Sequence, residues 1–161
     1  MGEAIVKKTN AARLLDAKGI AYELAEYEVD ENDLSATKLA LKIGQNIEQI
    51  FKTLVLRGDK TGVFIAVVAG SSEVDLKKAA KISGNKNCAM VHQKELLGLT
   101  GYIRGGCSPL GMKKPYPIYI DESCLLFNII FISAGQRGLQ LKINPEDLIT
   151  VVGAVVGDLA E

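Results

Sequence analysis

The segment from Gly101 to Lys114 holds the residues whose types and spacing are best suited to chemistry. Four glycines lie between positions 101 and 111, Arg104 stands among them, and Lys113 and Lys114 follow directly. Glycines let backbone N–H groups come close to a ligand, and N–H groups in such a turn bind a phosphate or a polarised carbonyl oxygen. The pattern indicates a site for an anion or an ester, and it is also typical of an ordinary surface loop.

Two well-known catalytic motifs are incomplete in this segment. Gly106 to Leu110 follows the G-x-S-x-G nucleophile elbow except that Leu110 replaces the last small residue. Gly106 and Gly111 have the spacing of a P-loop, but Met112 stands in the lysine position and Lys113 comes one residue late. These mismatches disfavour a serine hydrolase of that type and a P-loop nucleotide site.

Histidine and cysteine are too sparse for the common metal sites. His92 is the only histidine, and Cys88, Cys107 and Cys124 show no C-x-x-C spacing. We therefore expect no metal, no cofactor and no disulfide framework, and we expect a reducing cytoplasm as the location. Cys107 and His92 would serve as a nucleophile and its base, but a lone thiol beside glycines is more typical of a small apolar filler.

Two further polar residues stand beside apolar segments. Lys52 lies where a helical period gives way to an apolar strand, next to Phe51 and Leu54, and it either binds a ligand or extends to solvent. Ser133 ends an apolar strand before a second glycine-rich turn, where a hydroxyl either binds a ligand or forms the turn.

Apolar periodicity and capping residues predict helices and strands interspersed along one domain of residues 1–161, in the mixed α/β (α+β) class. The predicted helices cover residues 11–19, 36–44, 46–52, 73–84, 92–101 and a closing segment from 145. The predicted strands cover 21–29, a hairpin over 53–70, 88–92, 118–121, 125–135 and 138–143, with a loop over 102–117.

The net charge and the lengths of the apolar runs restrict the kinds of partner that this protein can bind. The chain has 161 residues, 48% of them hydrophobic, and its 19 basic and 19 acidic residues give a net charge of zero. No global field draws such a molecule to a polyanion, so nucleic acid must meet a local basic patch. No apolar run approaches the roughly 20 residues that a membrane helix needs, so we expect no membrane partner.

Several segments together resemble one family. IFKTLV, AVVAGSSEVDLKKAAK, TGYIRGGCSPLGMKKPYPIYID and FISAGQRGL occur in the order and spacing of the YbaK/EbsC proteins, freestanding aminoacyl-tRNA deacylases related to the editing domain of bacterial prolyl-tRNA synthetases. The resemblance runs over nearly the whole chain. It implies a single domain with a strongly curved, barrel-like mixed β-sheet flanked by helices, and an enzyme that removes cysteine from Cys-tRNA(Pro) and from Cys-tRNA(Cys).

The resemblance also implies roles for individual residues. The implied catalytic residues are Lys52, Gly105 and Gly106, with the two glycine N–H groups facing an oxyanion. The implied substrate-binding residues are Tyr27, Thr53, Ser108, Pro109, Ser133 and Gln140. The implied contacts with the tRNA acceptor end are Arg104, Lys113 and Lys114. Gln140 departs from the family pattern, because better-known members carry Asp at this position.

For this family the nucleophile is expected to come from the substrate. The thiol of the bound cysteine attacks its own carbonyl and releases the tRNA and a cyclic thioester, so alanine and proline esters survive. Prolyl-tRNA synthetase is the expected partner that supplies the choice of tRNA. Two alternatives stay open: hydrolysis of Ala-tRNA(Pro) or another misacylated tRNA by an enzyme-held water, and a non-catalytic nucleotide-binding or regulatory module.

Overall fold

Helices and strands alternate along residues 8–161, the part of the chain that the computed structural model describes. The helices of this part are α1 (Asn10–Ala17), α2 (Ala36–Ile43), α3 (Leu76–Ser83), α4 (Leu96–Thr100) and α5 (Pro145–Val152). Its strands are β1 (Glu23–Glu26), β2 (Phe51–Gly58), β3 (Gly62–Ala69), β4 (Cys88–Met90), β5 (Ile118–Asp121), β6 (Ile130–Gln136), β7 (Leu139–Ile143) and β8 (Val155–Gly157). Within this range, no helix has the length and apolar character needed to cross a bilayer.

The helix ends follow the capping residues. The Thr9 side chain accepts the Ala12 N–H, and the Ser35 side chain accepts the Lys38 N–H, so α1 and α2 begin at satisfied donors. Gly44 ends α2 in the left-handed region, as Gly84 and Gly153 do for α3 and α5. The helices expected near 11–19, 36–44, 73–84 and from 145 are confirmed, and 102–117 contains no helix or strand.

The strands form two sheets. The larger has the order β4-β2-β3-β5-β8, in which β2 pairs antiparallel with β4 and β3, and β5 pairs parallel with β3 and β8. The smaller has the order β1-β7-β6 and is antiparallel. A single bridge between Ile50 and Phe131 joins them. The mixed α/β class and the hairpin over 53–70 are confirmed.

The expectation of a strongly curved, barrel-like sheet is wrong. Both sheets are open: β4 and β8 are the edges of one, β1 and β6 the edges of the other, and neither is strongly curled. Barrel closure requires edge strands to pair with each other along their length. β4 and β8 contain only three residues each, and one bridge is the link between the two sheets, so closure does not occur.

Two segments differ from the expected elements. The helix expected over 46–52 is a 3₁₀ turn over Ile47–Gln49, and β2 begins at Phe51, because the apolar residues that follow pair with β3. The strand expected over 125–135 begins only at Ile130, because Asp121 accepts the Ser123 N–H and starts a 3₁₀ turn over Glu122–Leu126. Because β2 begins at Phe51, Lys52 lies within a strand.

Side-chain alternation along β2 separates two cores. Phe51 and Val55 are buried in the core between the two sheets, together with Leu15 of α1. Leu56 is buried on the other face in a second core, beside Ala79 of α3. Since successive side chains of a strand point to opposite faces, residues 51, 53 and 55 share one face and residues 52, 54 and 56 the other. This alternation positions the candidate site.

Candidate functional site

A cavity of about 410 Å³ runs along the edge of β2 that β4 leaves open. β4 pairs only with Leu56–Gly58, so the first half of β2 has no β4 partner beside it. Its other walls come from α2, the segment after β4, the glycine loop over 101–111 and the β6–β7 pair. Six of the residues expected from the sequence line it: Lys52, Thr53, Arg104, Gly105, Ser133 and Gln140.

Lys52 and Thr53 reach the cavity from opposite faces of β2. Lys52 pairs in register with Val68, which belongs to the second core, and its side chain is 28% exposed. The Lys52 ammonium lies 3.8 Å from a carboxylate oxygen of Glu73, a long contact to a side chain that is mostly exposed. The cavity follows the strand edge and is therefore lined by both residues, with one partly exposed cation and one buried hydroxyl.

The Thr53 and Gln140 side chains carry unsatisfied polar atoms. Thr53 Oγ1 and Gln140 Oε1 are both buried and have no hydrogen-bond partner within the described part of the chain. Gln140 lies directly opposite Ser133 in the β6–β7 register, and the Ser133 hydroxyl accepts the Gly135 N–H. A buried polar atom without a partner costs free energy. Gln140 therefore offers a ligand an acceptor, and Thr53 offers it a hydroxyl that can accept or donate.

The glycine loop lies directly against the turn between β6 and β7. A Cβ placed on Gly106 would lie 3.1 Å from Gln136 Cα. Gly105 has a φ of +86°, and a Cβ placed on it would lie 3.2 Å from Arg137 Nε. Arg137 Nε donates a hydrogen bond of 2.7 Å to the Arg104 carbonyl. The glycines are thus needed for close backbone approach. Sequence reasoning missed Arg137, whose one signal was its place in the second glycine-rich turn.

One of the two expected oxyanion donors is already used. The Gly106 N–H donates a hydrogen bond of 2.9 Å to the Ile103 carbonyl and closes a turn, so in this structure it is engaged within the loop. The Gly105 N–H has no acceptor among residues 8–161 and lies at the cavity wall. Gly105 therefore keeps a free backbone donor at the site.

The other expected residues do not line the cavity: Tyr27, Gly106, Ser108, Pro109, Lys113 and Lys114. Ser108 is fully buried and its hydroxyl accepts the Leu110 N–H, so it shapes the loop. Tyr27 lines a separate cleft of about 20 Å³ beside α2. Lys113 and Lys114 are exposed on the loop that follows. Tyr27, Ser108 and Pro109 thus lie outside the cavity wall, and their expected contacts with the substrate stay predictions.

Cys107 is a packing residue at the cavity wall. Its side chain belongs to the core between the sheets, and burial raises the pKa of the thiol to about 12. The thiol therefore stays protonated at neutral pH and is a poor nucleophile.

An ion pair fixes the segment that contains His92. Arg57 Nη2 lies 3.0 Å from Glu95, and Glu95 accepts the His92 N–H at 3.2 Å. The hydrogen bond from Arg57 lowers the pKa of Glu95, with help from the His92 N–H. The segment that contains His92 is thus held to β2 by the Glu95 carboxylate, which remains charged.

The charge of the cavity is one-sided. The cationic side chains of Lys52 and Arg104 line it, and no carboxylate does among the described residues. Within residues 8–161, no three His, Cys, Asp or Glu side chains form a group that could hold a metal ion. A cation-lined cavity with a free N–H group suits a ligand with a phosphate and a carbonyl oxygen that gains negative charge.

Known proteins resemble the chain over most of its length. The "Putative Cys-tRNA(Pro)/Cys-tRNA(Cys) deacylase EbsC" of Enterococcus faecalis is 45% identical over 155 residues, 96% of this chain and 93% of the relative. A proline–tRNA ligase of Staphylococcus aureus (strain Newman) is 29% identical over 111 residues, 68% of this chain and 19% of the ligase.

A solved structure described as "a putative trans-editing enzyme for prolyl tRNA synthetase" is 29% identical, with a TM-score of 0.82, and covers 96% of this chain and 99% of that chain. The model of the aminoacyl-tRNA editing domain matches residues 30–151, more than half of the chain. The similarity thus includes β2, the glycine loop and the β6–β7 pair, which together form the cavity. The chain belongs to the aminoacyl-tRNA editing domain family.

Proposed function

We propose that this chain is a trans-editing aminoacyl-tRNA deacylase that removes cysteine from Cys-tRNA(Pro) and from Cys-tRNA(Cys). Family membership supports the reaction class, and the name of the Enterococcus faecalis relative supports the substrate. The observation that carries the proposal is the cavity itself, where a free Gly105 N–H and two cationic side chains meet without an activated protein nucleophile.

The ester carbonyl binds at the glycine loop. The Gly105 N–H donates to the carbonyl oxygen and strengthens its hydrogen bond as negative charge develops there, an interaction typically worth ~3 kcal/mol per donor. Lys52 and Arg104 hold the phosphate and ribose of the terminal nucleotide, because both are cationic and partly exposed at the cavity. These contacts place the ester without attacking it.

The nucleophile is the thiol of the substrate. The sulfur attacks its own carbonyl carbon, the bond from that carbon to the ribose oxygen breaks, and the thiol proton ends on the leaving ribose hydroxyl. The products are tRNA and a cyclic thioester. No activated protein nucleophile competes among the described residues, because the Cys107 thiol stays protonated and the Ser133 hydroxyl is hydrogen-bonded to the Gly135 N–H and to no base.

The choice of tRNA is delegated to a partner, which we propose to be prolyl-tRNA synthetase acting in the cytoplasm. The exposed side chains of Arg104, Lys113 and Lys114 contact the acceptor end alone. A chain of zero net charge that meets tRNA with three cationic side chains binds free tRNA weakly and in a salt-dependent way.

Single-turnover deacylation of Cys-tRNA(Pro), Cys-tRNA(Cys) and Ala-tRNA(Pro) tests the proposal. We expect rapid loss of both cysteinyl esters, a stable alanyl ester, and a loss of about 100-fold for Lys52→Ala. Lys60→Ala is the matched control, because this exposed lysine lies in the β2–β3 turn, away from the cavity. Rapid cleavage of the alanyl ester would indicate the water-based editors, and no cleavage of any ester would indicate a binding module.

A further inference from the structure

Gln140 is a buried polar side chain on β7 whose amide oxygen is unpaired within residues 8–161. It is 3% exposed, it lines the cavity, and its Oε1 atom has no partner among residues 8–161. Its neighbours Leu139 and Leu141 point into the core between the sheets. Gln140 thus occupies the one position of this stretch that faces the cavity with hydrogen-bonding capacity.

Thr53 supplies a second unpaired polar atom from a different strand, a hydroxyl that can both accept and donate a hydrogen bond. Its Oγ1 atom is buried without a partner, and Thr53 lines the same cavity from β2. Buried acceptors in folded proteins are nearly always paired. Two such atoms on residues that line one cavity indicate a ligand whose polar groups bind at Thr53 and Gln140.

The charges around these acceptors restrict what the donor can be. The ionisable side chains that line the cavity are Lys52, Arg104 and His92, with no carboxylate among the described lining residues. The Glu73 carboxylate that approaches Lys52 does not line the cavity. A buried ammonium would lie near cations without a counter-ion, which is strongly unfavourable. The donor that fits is an uncharged N–H or O–H group.

We propose that Gln140 and Thr53 recognise the α-substituent of the aminoacyl group through uncharged hydrogen bonds, so that a positive α-ammonium is not required. The proposal rests on the deacylase function given above. It makes Gln140 a specificity-determining residue and widens the substrate class to 3′-esters of thiol-bearing 2-amino and 2-hydroxy acids. The α-amine binds in its neutral form and donates to Gln140 Oε1, and an α-hydroxyl makes the same bond.

The test compares two esters on one tRNA. tRNA(Pro) carries either cysteine or its α-hydroxy analogue, 2-hydroxy-3-mercaptopropionate, and kcat/KM is measured for each with the unmodified protein and with Gln140→Glu. We expect the unmodified protein to accept both within about threefold, and Gln140→Glu to favour the amino ester by more than about tenfold, because a carboxylate pairs with the ammonium.

Gln140→Met is the control for hydrogen bonding without a change in size. It should lower kcat/KM for both esters by the same factor, about tenfold, because both lose the same neutral hydrogen bond. An unmodified protein that prefers the amino ester by more than about tenfold overturns the inference. So does a Gln140→Glu protein with an unchanged ratio. If the variants do not fold, the ratio for the unmodified protein still decides.

A binding measurement separates this inference from the proposed function. Two non-hydrolysable amides of 3′-amino-3′-deoxyadenosine, one with cysteine and one with the hydroxy analogue, are titrated into the unmodified protein. If no ester is cleaved, the proposed function fails, and equal affinity for the two amides still supports uncharged recognition. An affinity more than about tenfold higher for the amino compound contradicts it.

Discussion

The glycine loop and the strands opposite it form two walls of one cavity, and they differ in how many of their polar atoms are hydrogen-bonded within the protein. In the loop, Ile103 and Arg104 carbonyls accept from Gly106 N–H and Arg137 Nε, and the Ser108 hydroxyl accepts a loop N–H. On the strands, Thr53 Oγ1 and Gln140 Oε1 have no hydrogen-bond partner within residues 8–161. Most polar groups of the loop therefore hold its shape, with the Gly105 N–H left free, whereas the polar atoms of Thr53 and Gln140 remain to be paired by a ligand.

The largest effect is expected where the loop meets the β6–β7 turn. Gly106→Ala adds a Cβ that would lie 3.1 Å from Gln136 Cα, so the loop must shift away from the turn. We expect deacylation to fall by between about tenfold and 100-fold, because the neighbours must move by a few tenths of an ångström and a displacement of about 1 Å costs roughly 100-fold. Single-turnover rates and the thermal midpoint measure the change.

Gly98→Ala is the matched control, because a Cβ there meets nothing within 4 Å and the residue lies within α4. It should keep full activity and gain up to about 1 kcal/mol of stability from better helix propensity. Equal activity of the two alanine variants would show that close packing of the loop does not matter.

The next effect concerns the hydrogen bond that ties the loop to the turn. Arg137→Ala removes the Nε donor to the Arg104 carbonyl, and we expect kcat to fall about tenfold with a smaller change in KM, since Gly105 is held less firmly. Arg13→Ala removes the same charge from an exposed position on α1. A change in KM alone, or the same loss in both variants, would instead indicate that Arg137 acts as a general cation for tRNA.

A smaller effect is expected at the counter-ion of Lys52. Glu73→Gln removes the carboxylate 3.8 Å from the ammonium, which frees Lys52 for the substrate phosphate. KM should fall about twofold at low salt and be unchanged at high salt, because exposed pairs are weak and screened. A rise in KM at low salt would mean that Glu73 orients Lys52 for binding.

The smallest effect is expected at the thiol of the loop. Cys107→Ala should keep deacylation within about threefold, because burial holds the thiol pKa near 12 and leaves it protonated and unreactive at neutral pH. The folded protein should also resist alkylation at Cys107 near pH 8. Loss of activity in Cys107→Ala without loss of stability would instead indicate that the Cys107 thiol acts as a nucleophile.

Local chemistry made much of the fold predictable. Thr9, Ser35 and Asn144 cap helices where their types indicate, and the β2–β3 hairpin follows from two apolar runs around a turn. The prediction of a helix over 46–52 was wrong, because the Asn46 side chain caps only a single 3₁₀ turn. Pairing with β3 then decides the state of Phe51 and its neighbours, and such pairing has no local signal.

The candidate site was predictable only in part, because it depends on distant contacts. Thr53 and Gln140 face one cavity since β2 lies beside β6 and Ser133 pairs with Gln140, which spacing along the chain does not reveal. The family resemblance named Lys52, Gly105 and Ser133, and six of its residues line the cavity. It could not show that the Gly106 N–H is used within the loop, or that Arg137 supports it.

The identity of the amino-acid product tests the central claim most directly. Cys-tRNA(Pro) is deacylated in a single turnover in water that carries heavy oxygen, quenched at once, and the released compound is weighed by mass spectrometry. Thiol-assisted cleavage predicts a cyclic thioester, lighter than cysteine by one water and free of heavy oxygen. Cysteine labelled with heavy oxygen at the earliest time point would contradict it and assign the attack to a bound water.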